Sequence, residues 1–325
     1  MATKLRLGIV VCTLVAATSS CAVDRDSRKE PVKDLTAVGA LVPVVKVLPE
    51  LAEPEEVARR AGGIVGVVTG KEMLLITPAE VSQAFRNSPG RADFLAESEE
   101  RIGIHLNTAK KEMLVVSGQV ADDVVSADDI GPARADAVFK KAMNAMVSRK
   151  LLDTGVVPDG YVRTGRIMQG ETRRTEKPIT RIKEYFFEVP RTVAGIEVFG
   201  SSVTVSVHRS GRIASVRTVG PVVTPTTDYV KRIFSATSLS ERARKDNPES
   251  EVVPIGLRYM AMSGITEAEP LLRPREAFLV TPVTEIEGRK IHGRSHYVFY
   301  AIDDEHEPTL VWPRPNPEAK GDPRK

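Results

Sequence analysis

The chain is poor in cysteine and in aromatics. Two cysteines, Cys12 and Cys21, occur in 325 residues, with a single tryptophan, and aromatic side chains make up 5%. Two cysteines this close to one end exclude a disulfide framework, so the fold must rest on its core, which a chain of this length can build. Charge of neither sign dominates: 46 Lys plus Arg stand against 43 Asp plus Glu, a net charge of +3. That balance, with no aromatic-basic platform, gives no support to a nucleic-acid partner. After residue 17 no apolar run approaches the roughly 20 residues that a bilayer span needs. The zinc motif His-Glu-x-x-His and the nucleophile motif Gly-x-Ser-x-Gly are both absent.

What the chain does have begins at its first residue. Lys4 and Arg6 give a positive head, residues 7–17 are almost unbroken apolar, and Thr18-Ser19-Ser20 are small. This is a secretory leader. Ending on Cys21, it resembles a bacterial lipoprotein signal, although Thr18 stands where that family has an aliphatic residue. The resemblance implies that residues 1–20 are removed, that Cys21 is lipidated, and that the chain is held on a membrane outside the cytoplasm. Ala22 implies the outer membrane where the cell has one. Each buried lipid CH₂ contributes about 0.8 kcal/mol, so two or more acyl chains make a firm anchor.

Valine is abundant, which suits strands. The expected fold class is α+β, antiparallel sheets with packed helices. Residues 21–50 read as a tether, 51–130 as an N-terminal α+β region, 131–313 as a second α+β domain and 314–325 as a disordered tail. The pattern predicts one or two helical turns over 54–61 and a hairpin over 64–76 turning at Gly70-Lys71. It predicts a helix started by Thr77-Pro78-Ala79-Glu80 and a second short helix over 91–100. A hairpin is expected over 101–120. Asp122, Asp123, Asp128 and Asp129 read as a solvated loop, since they lack EF-hand spacing. The strongest helix runs from Gly131-Pro132 to about Leu152, with Ala135, Val138, Phe139, Ala142, Ala145 and Met146 on one stripe. Strands follow over 161–170, 178–190, 195–207 and 213–219. A helix capped by Thr226 or Thr227 is expected from about Asp228. Two more strands are expected over 276–285 and 295–302.

One stretch has a family look. A helix precedes Tyr185-Phe186-Phe187-Glu188-Val189, then Gly195-Ile196-Glu197-Val198-Phe199-Gly200, then Val203-Thr204-Val205-Ser206-Val207 and a turn at Gly211. Residues 131–313 thereby resemble the propeptide modules of thermolysin- and fungalysin-like metalloproteases and the related PepSY domains. The resemblance implies a cystatin-like arrangement and a role in covering or assisting a peptidase. No protease follows in this chain, so the peptidase would be a separate exported protein.

The candidate chemistry is thin. His292 and His296 have metal-site spacing and His306 follows nearby, but the flanks read as strand and loop, which favours a polar turn. Residues 66–71 glance at a phosphate loop with its glycine displaced, and Glu72 stands where Ser or Thr should bind magnesium. The densest basic stretch holds Arg173 and Arg174, where charge on a sheet edge deters pairing with other chains. The expectation is therefore a non-enzymatic binding module without cofactor, contacting a protein partner through Ile196, Val198, Phe199 and the Arg173-Arg174 edge. The alternatives are a metal-dependent hydrolase using His292, His296 and His306, and a structural component of the envelope.

Overall fold

The computed structural model describes residues 35–47, 53–71, 76–87, 91–96, 101–107, 111–118, 128–152, 155–156, 160, 162–171, 179–261, 271–304 and 306–312. The leader, Cys21, Asp122, Asp123, Arg173, Arg174 and the tail 314–325 lie outside them. In chain order the elements are β1 (Leu41–Val47), α1 (Pro54–Thr69), α2 (Pro78–Asn87), β2 (Arg91–Ala96), β3 (Ile102–Asn107), β4 (Glu112–Ser117) and α3 (Gly131–Ser148). Next come β5 (Arg163–Glu171), β6 (Ile179–Val193), β7 (Ile196–His208), β8 (Ile213–Val219), β9 (Val223–Lys231) and α4 (Ala236–Asp246). The last are β10 (Ser250–Met260), β11 (Leu271–Leu272), β12 (Pro274–Ile286), β13 (Arg289–His292), β14 (His296–Ala301) and β15 (Leu310–Trp312). The protein is mixed α+β, mostly antiparallel, with four helices among the described residues. None of these helices is long and apolar enough to cross a membrane.

α1 corrects the hairpin expected over 64–76. Val57, Ala58, Ala61, Ile64 and Val65 recur at three- and four-residue spacing and are all buried. That stripe outweighs the strand preference of the Ile and Val residues. Gly70 is the helix stop instead of a strand turn: it lies at φ 76° and its N–H bonds the Gly66 carbonyl at 3.1 Å. Inside the helix, a Cβ on Gly63 would fall 2.4 Å from Leu151 Cδ2, so glycine allows the chain after α3 to lie close. α2 begins with the expected capping box, Thr77 N donating to Glu80 Oε2 at 2.7 Å and Glu80 N to Thr77 Oγ1 at 3.3 Å.

The first turn of α1 carries a titration that can be measured. Glu56 accepts from Arg59 at 2.7 Å and from Arg60 at 2.5 Å. The Arg59 hydrogen bond, aided by Arg60 and opposed by partial burial, lowers the Glu56 carboxyl from 4.5 to about 2. A depressed carboxyl stabilises the fold above its unfolded pKa, and that stability disappears as pH falls through the folded value. Glu56→Gln should therefore lower the urea midpoint at pH 7. The gap to the parent protein should close between pH 4.5 and about 2; a gap that persists unchanged at the acid end would contradict the pairing.

Two further sequence expectations change. Residues 91–96 form strand, not helix, pairing antiparallel with β3 from Arg91 opposite Asn107 to Ala96 opposite Ile102. Residues 223–231 also form strand. Thr226 does not cap a helix there; its hydroxyl donates to the Val44 carbonyl at 3.0 Å. The cap of α4 is Ser235, whose Oγ accepts from Ser238 N at 3.0 Å. The strand wins because β9 has β1 to pair with, along six register positions.

β7 organises everything else. One edge pairs with β6. On its other edge, Glu197 to Phe199 pair in parallel with β10, and Ser202 to Val207 pair antiparallel with β8. Gly200, at φ 84°, sits between these two pairings. An antiparallel run β5-β6-β7-β8-β4-β3-β2 therefore leaves one part of the strand, and β10-β12-β14-β15 leaves the other. The first core lies between the former run and helices α1, α2 and α3, with Phe139 stacked on Phe187 at 4.7 Å. It draws on residues on both sides of position 130, from Val57 to Val216. The second core lies between the latter run, α4 and the sheet β11-β1-β9, and includes Val42, Val198, Leu239, Tyr259, Phe278 and Tyr300. Tyr259 is pushed above its ordinary pKa by burial and donates to the Pro43 carbonyl at 2.7 Å, tying the two layers together.

A candidate aromatic contact face

Period-two alternation gives β10, β12, β14 and the start of β7 two different faces. Ile196, Val198, Leu257, Tyr259, Phe278, Val280, Val298 and Tyr300 point into the second core. The intervening residues build a smaller apolar cluster on the other face. Met260, Ala277 and Phe299 are buried there, and Phe199, Ile255, Tyr297, Leu310 and Trp312 are partly buried against them. The Phe199 ring meets Tyr297 edge-on at 4.6 Å and Phe299 at 5.2 Å, geometries that aromatic quadrupoles favour. Trp312 stands opposite Tyr297 on β15.

Paired charges rim this cluster. Glu197 bonds Arg163 at 2.5 Å and lies 3.2 Å from Arg258, while Arg163 also faces Glu188 at 3.5 Å. Arg275 bonds Glu307 and donates to the Pro308 carbonyl at 3.1 Å. Half-buried rings inside a polar rim are the anatomy of a protein contact patch.

The residues expected from sequence separate on this geometry. Phe199 is on the face. Ile196 and Val198 are not: they are 4% and 0% exposed in the second core, so they cannot touch a partner of the folded protein. Position 199 has the opposite parity to 196 and 198, and that parity could have been read from the sequence. Arg173, Arg174 and Cys21 lie outside the described residues. Tyr297 and Trp312 escaped notice. Tyr297 was visible as an aromatic in an expected strand, but β15 is too short to show a period.

The histidines do not converge. His292 lies opposite Val283 and His296 opposite Val280; partners an odd number apart on one strand face opposite ways. His292 lies 3.8 Å from exposed Glu251, and the backbone N of His306 bonds Asp304. No group of three or more metal-binding side chains occurs among the described residues. Asp129, weighed above as part of an acidic loop, is a structural acceptor. It takes bonds from Gly131 N at 2.9 Å and the Tyr185 hydroxyl at 2.8 Å. Burial raises its pKa, but those two bonds and the Arg209 and Arg166 charges outweigh burial and hold the carboxyl below its usual range.

No family model matches the chain, and no curated protein matches it. Among solved structures it is similar to an uncharacterized protein from Eubacterium rectale. The two are 11% identical, with 81% of this chain and 84% of that chain covered and a TM-score of 0.46.

Proposed function

We propose that this chain is an exported, lipid-anchored binding module of the cell envelope, acting by contact and not by catalysis, and that its partner is an exported peptidase. The observation that carries the reading is the pair of half-buried rings Phe199 and Tyr297, packed on buried Phe299 beside the chain's one tryptophan on a short strand, β15. An extended segment of the partner would pair with the β15 edge and lay its apolar side chains on these rings. The leader ending at Cys21 supports the address. The finer likeness to a cystatin-type propeptide is supported by α3 lying across the antiparallel strands β6 and β7, fastened by the Phe139–Phe187 stack.

The test is inhibition of a thermolysin-type metallopeptidase by the purified mature chain. Inhibition at micromolar concentration or below is expected. Phe199→Ser and Trp312→Ala should each weaken it about tenfold or more, the effect of losing a central aromatic anchor, with circular dichroism unchanged. An unaffected peptidase at micromolar concentration would reject that partner.

A further inference from the structure

The three-stranded sheet β11-β1-β9 has one face in the second core and, among the described residues, nothing packed on the other. Its register sorts the side chains: Val42 and Val230 pair and are buried, as is Arg232, while Leu41 pairs with Lys231 on the other side. By alternation Tyr229 and Ile233 share that outer side with Lys231. Leu41 is 60% exposed, Tyr229 60% and Ile233 49%, and Val38, just before β1, is 61% exposed. Lys46 and Leu271 (the latter 43% exposed) continue the same face as a cross-strand pair. This gathers three exposed large apolar residues and two lysines on one small sheet, with Val38 and Ile233 exposed just beyond the strand ends. Scattered apolar residues need no explanation, but such a cluster does.

We propose that this face rests on the lipid surface to which the chain is tethered. The inference builds on the lipid-anchored reading above and adds which side of the molecule meets the bilayer. Two features select lipid as the occupant. First, the described chain emerges beside this patch. Residue 35 follows Cys21 by fourteen residues, which however arranged reach at most about 50 Å. An acylated Cys21 thus keeps residue 35, and with it the start of this sheet, within that distance of the bilayer. Second, the composition fits an interface. Aliphatic side chains enter the acyl boundary, the Tyr229 ring sits at headgroup depth, and Lys46 and Lys231 face anionic phosphates.

The test uses the processed, acylated protein reconstituted in vesicles, with an NBD dye on Ile233→Cys or, as a control on another exposed strand, on Val253→Cys. Dye at 233 should shift to the blue and be quenched by brominated lipid; dye at 253 should not. Adding Leu41→Asp and Tyr229→Asp should cut the quenching at 233 about fivefold or more while the protein still floats with the vesicles. In a second arm, Cys21→Ser protein, which can carry no acyl chain, is mixed with vesicles containing about 30% anionic lipid. It should co-sediment weakly, and about tenfold less with the two aspartates. Floating protein whose dye at 233 behaves like that at 253 would overturn the proposal. So would a dimer in sedimentation that the aspartates abolish, since a second copy would then cover the face. A Cys21 found without fatty acid would overturn the anchor alone, and the second arm would still decide the patch.

Discussion

Replacing Glu276 with alanine is expected to remove about 3–5 kcal/mol of stability, a large fraction of the roughly 5–15 kcal/mol that holds a domain folded. Arg232 is fully buried, at 0% exposure, and Glu276 is 3% exposed. Arg232 Nη2 bonds Glu276 Oε2 at 2.8 Å and its Nε donates to the Phe234 carbonyl at 2.9 Å. Its Nη1 has no hydrogen-bond partner among the described residues, so the guanidinium is already incompletely satisfied. Arginine cannot escape by losing its proton, and removal of the carboxylate would strand a buried positive charge. The comparison that isolates this cause is the double change Arg232→Met with Glu276→Leu. Exchanging a buried ion pair for apolar groups of similar volume is close to neutral, so the double variant should be more stable than Glu276→Ala alone. Urea unfolding followed by the emission of Trp312 measures all three. A loss of less than about 1 kcal/mol for Glu276→Ala would mean that water reaches the guanidinium.

Neither this pair nor the aromatic face was legible in the sequence, although much of the framework was. Val203, Val205 and Val207 alternate with Thr204 and Ser206 because one side of β7 is a core, and such alternation survives in any reading of the chain. The stripe on α3 and the Thr77–Glu80 box are likewise local signals with local causes. The errors came where local signals compete. Residues 64–69 are Val- and Ile-rich, yet their burial follows a helical stripe begun seven residues earlier at Val57. Thr226 and Thr227 precede polar residues as helix caps do, but β1 offers them a strand partner far away in sequence. The contact face is assembled from Phe199, Ile255, Tyr297 and Leu310, which meet only because β7 and β10 pair in parallel across about sixty residues. No spacing rule reports a pairing of that kind. Arg232 and Glu276, forty-four residues apart, are invisible for the same reason.

One glycine packs against β7 just where that parallel pairing ends. Gly220→Ala is expected to cost about 3 kcal/mol or more, well above the penalty for an ordinary turn glycine. Gly220 lies just past β8 at φ 78°, and a Cβ there would fall 2.3 Å from the Gly200 carbonyl oxygen and 2.7 Å from Ser201 Cα. Both obstacles are backbone, so no side chain can swing aside. Gly195→Ala is the control, because it shares φ 78° but meets nothing within 4 Å; it should lose only the left-handed penalty of about 1–2 kcal/mol. The region around Gly220 is also fastened by buried polar groups. Arg191 bonds Ser201 Oγ and donates to the Pro221 carbonyl at 3.1 Å, and Ser201 Oγ lies 3.0 Å from that same carbonyl. A displaced Gly220 would disturb these bonds at the point where β7 turns from β10 to β8. Hydrogen exchange should then show amides of both cores, at Val205 and at Tyr259, losing protection together. Loss confined to one of them would show that the shared strand does not couple the two runs of the sheet. Phe199 immediately precedes Gly200, so the same change should also move its ring against Tyr297 and Phe299 and weaken peptidase inhibition. The glycine contact at the point where β7 exchanges β10 for β8 would then also be what holds the aromatic face in its working shape.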